Sequence, residues 1–288
     1  GTEAAIPGLL ELLKDSESNV RSSAADALGN IGTEVAIPGL LELLKDSESN
    51  VRSSAVNALV RIGTEAAIPG LLELLKDSES NVRSSAADAL GNIGTEVAIP
   101  GLLELLKDSE SNVRSSAVNA LVRIGTEAAI PGLLELLKDS ESNVRSSAAF
   151  ALGNIGTEAA IPSLLELLKD SESNVRSSAA NALGNIGTEA AIPSLLELLK
   201  GSELNVRSSA AFALGNIGKE AAIPGLLELL KDSEFNVRLI GAFVLKKIDE
   251  KTHSVVINLS RWINENQDSE YIGDGIDLLW ELICGETT

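Results

Sequence analysis

The sequence repeats itself every 31 residues, and copies begin at Gly1, Gly32, Gly63, Gly94, Gly125, Gly156, Gly187 and Gly218. Residues 1–62 are identical to residues 63–124, so duplication of a two-copy block, by recent evolution or by deliberate construction, underlies the first half. A period this short leaves few folds open. One copy cannot bury an apolar face by itself, so neighbouring copies must stack.

Each copy predicts two helices joined by a short turn. In copy one, Thr2 is placed to cap the first helix, with Glu3 near its positive end. Ile6, Leu9, Leu10 and Leu13 recur at helical spacing. All eight prolines stand at the seventh position of a copy, from Pro7 to Pro224, and are expected to bend the first helix. "KDSES" supplies the turn, with Ser16 or a neighbour capping the second helix, and Gly32 closes that helix. At 100° per residue, Val20, Ala24, Ala27, Leu28 and Ile31 share one face of the second helix, while Ser18, Asn19, Ser22 and Asp26 take the other. The small alanines permit close approach of neighbouring helices. Aromatics make up only 2% of the chain, which suits thin helices packed through Ala, Leu, Ile and Val.

Beyond residue 248 the repeat stops. "THSVVINLSRWINE", residues 252–265, and "EYIGDGIDLLWELICGE", residues 270–286, each predict an amphipathic helix. The expected inward stripes are Val255, Val256, Leu259, Trp262 and Ile263 in the first, and Ile272, Ile276, Leu279 and Ile283 in the second. A solenoid needs an atypical end to cover its last stacking face. The division is therefore residues 1–248 as repeats and 249–288 as a helical cap. Copy one has no comparable polar cap, which leaves its face exposed or packed on something else and makes self-association through it a possibility.

The segment "AIPGLLELLKDSESNVRSSAADALGNIG", residues 5–32, resembles the HEAT-repeat family in the short form of phycobilisome-lyase-like proteins and designed alpha-repeat binders. The resemblance implies an all-α, right-handed α-solenoid of eight two-helix repeats with a C-terminal helical cap. It also implies a protein-binding scaffold whose second helices line the concave face, and an Asp15–Arg21 type ladder between repeats. Gly201 replaces the aspartate in copy seven, so the ladder is expected to weaken there. Similar repeats occur at one end of bacterial signalling NTPases of the STAND type.

In a repetitive chain the departures carry the information. Phe150, Phe212 and Phe243 stand at repeat position 26, where copies one to four have Asp26, Asn57, Asp88 and Asn119. Leu204 and Phe235 stand at position 18, and Leu239 at position 22, where those copies have serine. These six residues are the candidate partner-binding surface, over copies five to eight. Phe235, Leu239 and Phe243 adjoin the tail in sequence, so a second expectation is that they receive it. Arg61 and Arg123 break the polar half of the same face and are expected to be solvated charges.

Little else in the chain carries chemistry. His253 is the sole histidine and is expected at a helix start or on the surface; no nucleophile elbow accompanies it. The carboxylates of Glu11, Asp15 and Glu17 recur every 31 residues and read as solvated faces and turns rather than as a catalytic pair in unlike environments. "DSES" lacks the glycine and terminal glutamate of a calcium loop, and "GNIG" ends a helix rather than cradling a phosphate. Cys284 stands alone, so no intramolecular disulfide or cysteine metal cluster is possible within the chain, and a buried or incidental thiol is expected. No cofactor is implied. The net charge of −19 argues against nucleic-acid or anionic-membrane binding and for an apolar or basic protein or peptide partner. No apolar run approaches the roughly 20 residues of a membrane span, and no signal peptide is visible, which points to the cytoplasm. The expected function is a non-enzymatic interaction scaffold or sensor, part of a larger signalling protein. The alternatives are a phycobilin lyase or its accessory subunit, and a designed or consensus repeat scaffold.

Overall fold

The structure is a computed structural model and describes residues 3–252, 254–269 and 271–284. The cap expected of Thr2 and the placement of His253 lie outside those residues, as does the Cys284 side chain. Among the described residues the chain is all helical. Backbone contacts divide it into two compact units, residues 1–136 and 137–288.

The first unit holds α1 (Ile6–Leu12), α2 (Ser18–Ile31), α3 (Ile37–Leu43), α4 (Ser49–Ile62), α5 (Ile68–Leu74), α6 (Ser80–Ile93), α7 (Ile99–Leu105), α8 (Ser111–Ile124) and α9 (Ile130–Leu136). The second holds α10 (Ser142–Ile155), α11 (Ile161–Leu167), α12 (Ser173–Ile186), α13 (Ile192–Leu198), α14 (Leu204–Ile217), α15 (Ile223–Glu228), α16 (Phe235–Thr252), α17 (Val255–Glu265) and α18 (Ile272–Cys284). Within each unit the longer second helices pack side by side in chain order, α2–α4–α6–α8 and α10–α12–α14–α16. Within each unit the shorter first helix leans on the second helix of its own copy, α1 on α2, α3 on α4, α5 on α6 and α7 on α8 in the first, α11 on α12, α13 on α14 and α15 on α16 in the second. This is the helix-pair stacking of a HEAT-type solenoid.

The first helix differs from expectation at its start. A 3-10 turn such as Glu34–Ala36 precedes it, and the α-helix begins one residue before the proline. Proline then sits in the first turn, where its missing N–H has no intrahelical partner to lose. It starts the helix rather than bending it. Thr64 and Thr126 accept a hydrogen bond from Ala66 N–H and Ala128 N–H, so the threonine caps the 3-10 turn. The buried face is also rotated. Leu40, Leu43 and Leu44 are buried, whereas Ile37 and Leu41, the counterparts of Ile6 and Leu10, are only half-buried. A seven-residue helix apolar at most positions has no strong moment of its own, so contact with its neighbours selects the face.

The second helices follow expectation more closely. Val51, Ala55, Ala58 and Leu59 are fully buried, joined by Val56, while Ile62 is half-buried. The helix ends on Gly63 at φ 78°, a left-handed conformation that side chains with a Cβ rarely adopt. In copy eight the residue in that place is Asp249, and α16 runs on to Thr252.

Two kinds of seam join the second helices. A Cβ on Gly29 would lie 2.6 Å from the Ala58 Cα, and one on Gly153 would lie 2.5 Å from the Ala182 Cα. Helix backbones thus approach as closely as a missing side chain allows. Copy two has half-buried Val60 at the same position, so the α4–α6 seam holds an isopropyl group where α2–α4 holds none. The duplicated block of the first half is therefore an alternation of a tight and a padded seam.

An arginine ties one turn to the next within each unit. Arg21 donates to the Asp46 carboxylate through Nε and Nη2, at 2.8 and 2.9 Å, and through Nη1 to the Asp15 and Ser16 carbonyls. Asp46 in turn accepts from Glu48 N–H at 2.9 Å. The residue preceding the second helix is glutamate, and its side chain makes no cap. The aspartate two residues earlier closes the turn, where Ser16 was one of the expected caps. The same pairing joins Arg52 to Asp77, Arg83 to Asp108, Arg145 to Asp170 and Arg207 to Asp232. Beside Gly201 it fails as expected: Arg176 turns instead to Glu203 at 2.6 Å, whose carboxylate is 47% exposed.

Candidate interaction surface

The six candidate residues all belong to the second unit, on α10, α14 and α16, and all are exposed. The exposed fractions are 52% for Phe150, 40% for Leu204, 42% for Phe212, 57% for Phe235, 52% for Leu239 and 59% for Phe243. For Phe150 and Phe212 the reason is visible in the flanking residues, since the alanines on either side, Ala149 and Ala151, Ala211 and Ala213, are buried and take the seam positions.

Among the described residues the tail does not cover them, contrary to the second expectation for Phe235, Leu239 and Phe243. It packs instead on α15 and α16, with Val255, Leu259 and Trp262 of α17 and Leu278 of α18 buried. The reason is the geometry of a stacked repeat. The surface left open at the end of the last copy is the side of α16 that carries Arg238 and Lys246, which meet Asp274 and Glu281 of α18, while Val244 faces Gly215 of α14 and the phenylalanine row runs along a different side again. Ile240, another departure from serine in copy eight, is half-buried.

The tail's own stripes came out unequally. Val255, Leu259 and Trp262 face inward as expected, with Val256 and Ile263 half-buried. In α18 the expected face is wrong: Leu278 and Gly275 are buried, while Ile276, Trp280 and Ile283 are 49%, 62% and 63% exposed. That helix carries one acidic stripe, Asp274, Asp277 and Glu281, yet the face it buries is turned away from the side opposite that stripe, so something other than the apolar pattern decides its rotation. Two contacts do. A Cβ at Gly275 would lie 2.6 Å from Trp262 Cζ3, and Asp274 Oδ2 accepts from Arg238 Nε at 2.6 Å.

Five of the six residues form one patch. Phe212 and Phe243 meet edge to face, with ring centroids 6.4 Å apart and planes at 67°. Leu204 and Phe235 occupy equivalent positions on the same two packed helices, and Leu239 lies between Phe235 and Phe243 on α16. Arg238 lies 5.4 Å from the Phe235 ring centroid and 4.5 Å from that of Tyr271, so the guanidinium braces the patch from the tail side. Phe150 stands apart. Helix α12 lies between α10 and α14, and exposed Asn181 holds the equivalent position there.

Sequence reasoning missed Lys247. It continues the α16 row Phe235, Leu239, Phe243 by one more step of four, and its Nζ donates to Asn216 Oδ1 at 2.8 Å. Arg61 and Arg123 occupy the equivalent position in the first unit. Arg61 donates to Asn30 at 2.8 Å, and Arg123 lies 3.6 Å from Asp88. Both are thus engaged by the preceding copy. Burial raises the Asp88 carboxyl above its usual range, with the Ser116 hydroxyl and Arg123 working against it. The ladder carboxylates move the other way: hydrogen bonds from Arg21 and Arg145 lower Asp46 and Asp170.

Among the described residues, no three His, Cys, Asp or Glu side chains gather to hold a metal ion. No helix of the described residues is long and apolar enough to cross a membrane. A groove of about 540 Å³ lies between α13 and α15, floored by Leu196, Leu199 and Leu229. Its rim charges are already engaged, Glu197 with Lys200, Glu228 with Lys231 and Asp232 with Arg207.

A stacked array of helix pairs, tied by an Arg–Asp ladder and bearing its sequence variation on one helix face, is the plan of a helical-repeat scaffold. The HEAT-repeat profile matches residues 6–87, 37–122, 68–149, 130–211 and 193–279, and the chain belongs to that family. No curated protein matches the sequence. Among solved structures, an engineered protein is similar over 99% of this chain and 91% of its own, with 27% identity and a TM-score of 0.54. The complex of CpcE and CpcF of phycocyanin lyase from Nostoc sp. PCC7120 is similar over 87% of this chain and 94% of that one, with 25% identity and a TM-score of 0.50.

Proposed function

We propose that the chain is a non-enzymatic interaction scaffold that docks a protein or peptide on the second-helix face of copies five to eight. The contact residues are Phe150, Leu204, Phe212, Phe235, Leu239 and Phe243. One observation carries the reading. Large apolar side chains stand exposed on this face, where the same positions of the earlier copies have Ser, Asn and Asp. Burying a phenylalanine is worth roughly 1.5–3 kcal/mol, so a few such anchors can dominate an interface. Membership of a scaffold family supports the reading, and so does a structural neighbour that is a complex of two chains.

The test uses the chain's own polar version of the site. A variant carrying Phe150→Asn, Leu204→Ser, Phe212→Asn, Phe235→Ser, Leu239→Ser and Phe243→Asn places at each position a residue found there in another copy. Peptide-display selection on the unaltered chain should enrich sequences with apolar anchors that bind saturably and lose that binding on the variant, at unchanged Tm. Enriched peptides that bind both proteins equally, or no saturable peptide at all, would overturn the reading.

The Nostoc neighbour supports a second reading, as a bilin lyase or its accessory subunit. Incubation with a linear tetrapyrrole decides it: a shifted absorbance band that survives gel filtration supports it, and an unshifted spectrum removes it. The identical 62-residue blocks and the engineered neighbour fit a constructed consensus scaffold, which is compatible with either reading.

A further inference from the structure

The patch has a charge pattern that the chain as a whole does not share. The net charge is −19, yet α10, α12 and α14 contain no Asp or Glu, and their one charged residue each is the ladder arginine. Carboxylates return in the turns before these helices and, within α16, only beyond the row, at Asp249 and Glu250. Exposed Glu234 immediately precedes Phe235, at the start of α16. At the other end of the same row stands Lys247, whose hydrogen bond goes to the neutral amide of Asn216. Between them lie Phe235, Leu239 and Phe243, spaced by four. Thirteen residues separate the two charges in sequence, about 20 Å along a helix at 1.5 Å per residue.

The apolar part is a pair of ridges. Phe235, Leu239 and Phe243 make one along α16. Leu204 and Phe212 make the other along α14, with the small Ser208 between them turned back onto the Leu204 carbonyl at 2.8 Å. Two neighbouring ridges with a small residue between them take a third helix, as ridges pack into grooves.

We infer that the occupant of this patch is an amphipathic helix, apolar along its middle, lying antiparallel to α16 with an acidic N-terminal end over Lys247 and a basic C-terminal end over Glu234. The inference rests on the docking reading above and adds the class and direction of the partner. The direction follows from two independent terms. Each end of the patch attracts the opposite charge, and a helix prefers carboxylates at its own N-terminus and cations at its C-terminus. Only the antiparallel arrangement satisfies both, and it also sets the two helix dipoles head to tail. A uniformly basic partner, the choice that net charge alone suggests, would set a cation against Lys247.

Three labelled synthetic helices test it on the full chain by fluorescence polarisation. They share one apolar middle, with Leu or Phe spaced by three and four. The first has Glu at the N-terminal end and Lys at the C-terminal end, the second has the two exchanged, and the third has neutral ends. The first should bind about fivefold or more tighter than the second at low salt, two exposed ion pairs contributing a few-fold each, and the difference should fade at high salt. The double variant Glu234→Lys, Lys247→Glu should invert that order at unchanged Tm. Equal binding by the first two helices, or an order that the double variant leaves in place, overturns this inference while the docking reading stands. Absence of saturable binding by all three overturns the inference, and the display selection then decides the docking reading separately.

Discussion

Arg238 Nε donates to Asp274 Oδ2 at 2.6 Å, so the tail supplies to the last repeat the carboxylate that Asp77 supplies to Arg52 at 2.7 Å. The tail has no repeat sequence, yet it reproduces the one polar contact that every stacked copy expects of its successor. Its aspartate comes from the start of a helix rather than from a turn. The Arg238 guanidinium keeps its second habit too, donating through Nη1 to the Asp232 carbonyl at 2.9 Å.

Asp274→Ala should therefore loosen the tail and leave the repeats folded. The Asp274 side chain is 38% exposed, so the loss is expected to be about 1 kcal/mol, at the upper end for an exposed pair. Hydrogen exchange should speed up in α17 and α18 and stay unchanged in α10 and α12. Uniform acceleration across the second unit would show that the tail and the repeats open together.

The glycine seams predict opposite outcomes for one kind of substitution. Gly153→Ala places a methyl 2.5 Å from the Ala182 Cα, a backbone atom that cannot give way alone. Overpacking of this kind costs about 1–3 kcal/mol, against about 1 kcal/mol gained in helix propensity. The net result should be a lower urea midpoint. Gly8→Ala meets nothing within 4 Å, so it should raise the midpoint through propensity alone.

Gly201→Asp restores the missing rung. Gly201 has an ordinary negative φ, and a Cβ there would meet the Leu198 carbonyl oxygen at 3.2 Å, a tight but tolerable contact. The new carboxylate can take Arg176 and the Glu203 N–H together, as Asp46 takes Arg21 and Glu48. Stability should rise by about 0.5–1 kcal/mol, read as a higher Tm. An unchanged Tm would mean that the Arg176–Glu203 pair already serves as well.

The ladder sets the acid limit of the fold. Arginine hydrogen bonds lower Asp46 and Asp170 below the ordinary aspartate value near 3.9. Their stabilisation is complete above that ordinary value and is lost as pH falls through the lowered native one. Asp170→Asn should thus reduce stability at pH 7 and flatten its fall between about pH 5 and 2. Asp88, raised by burial, has the opposite sign: it loses stability as pH rises through its native value. Urea midpoints measured across that range check the slope.

Much of the site was legible because a repeat is its own alignment. Phe150, Phe212 and Phe243 stood out against Asp26 and Asn57 with no other sequence for comparison, and the helix period alone set position 26 apart from Ala27 and Leu28. Lys247 was overlooked because it is a lysine beside a lysine near a helix end. Its meaning comes from Asn216 on the neighbouring helix, which the linear sequence places 31 residues away. The ladder was legible from the family resemblance, but the turn to Glu203 beside Gly201 was not, since it depends on where a side chain finds a carboxylate in space.

The 31-residue period, the buried Val, Ala and Leu of the second helix and the glycine at its end were determined by sequence, because each is a local rule repeated until it leaves no alternative. The tertiary structure alone decided which leucines of the first helix go inside, which way α18 turns, and that the tail closes the Arg238 side of α16 and leaves the phenylalanines open. A short helix apolar at most positions has a degenerate pattern, and even a patterned one turns to the fit its neighbours offer, as α18 does with a glycine under Trp262 and an aspartate within reach of Arg238.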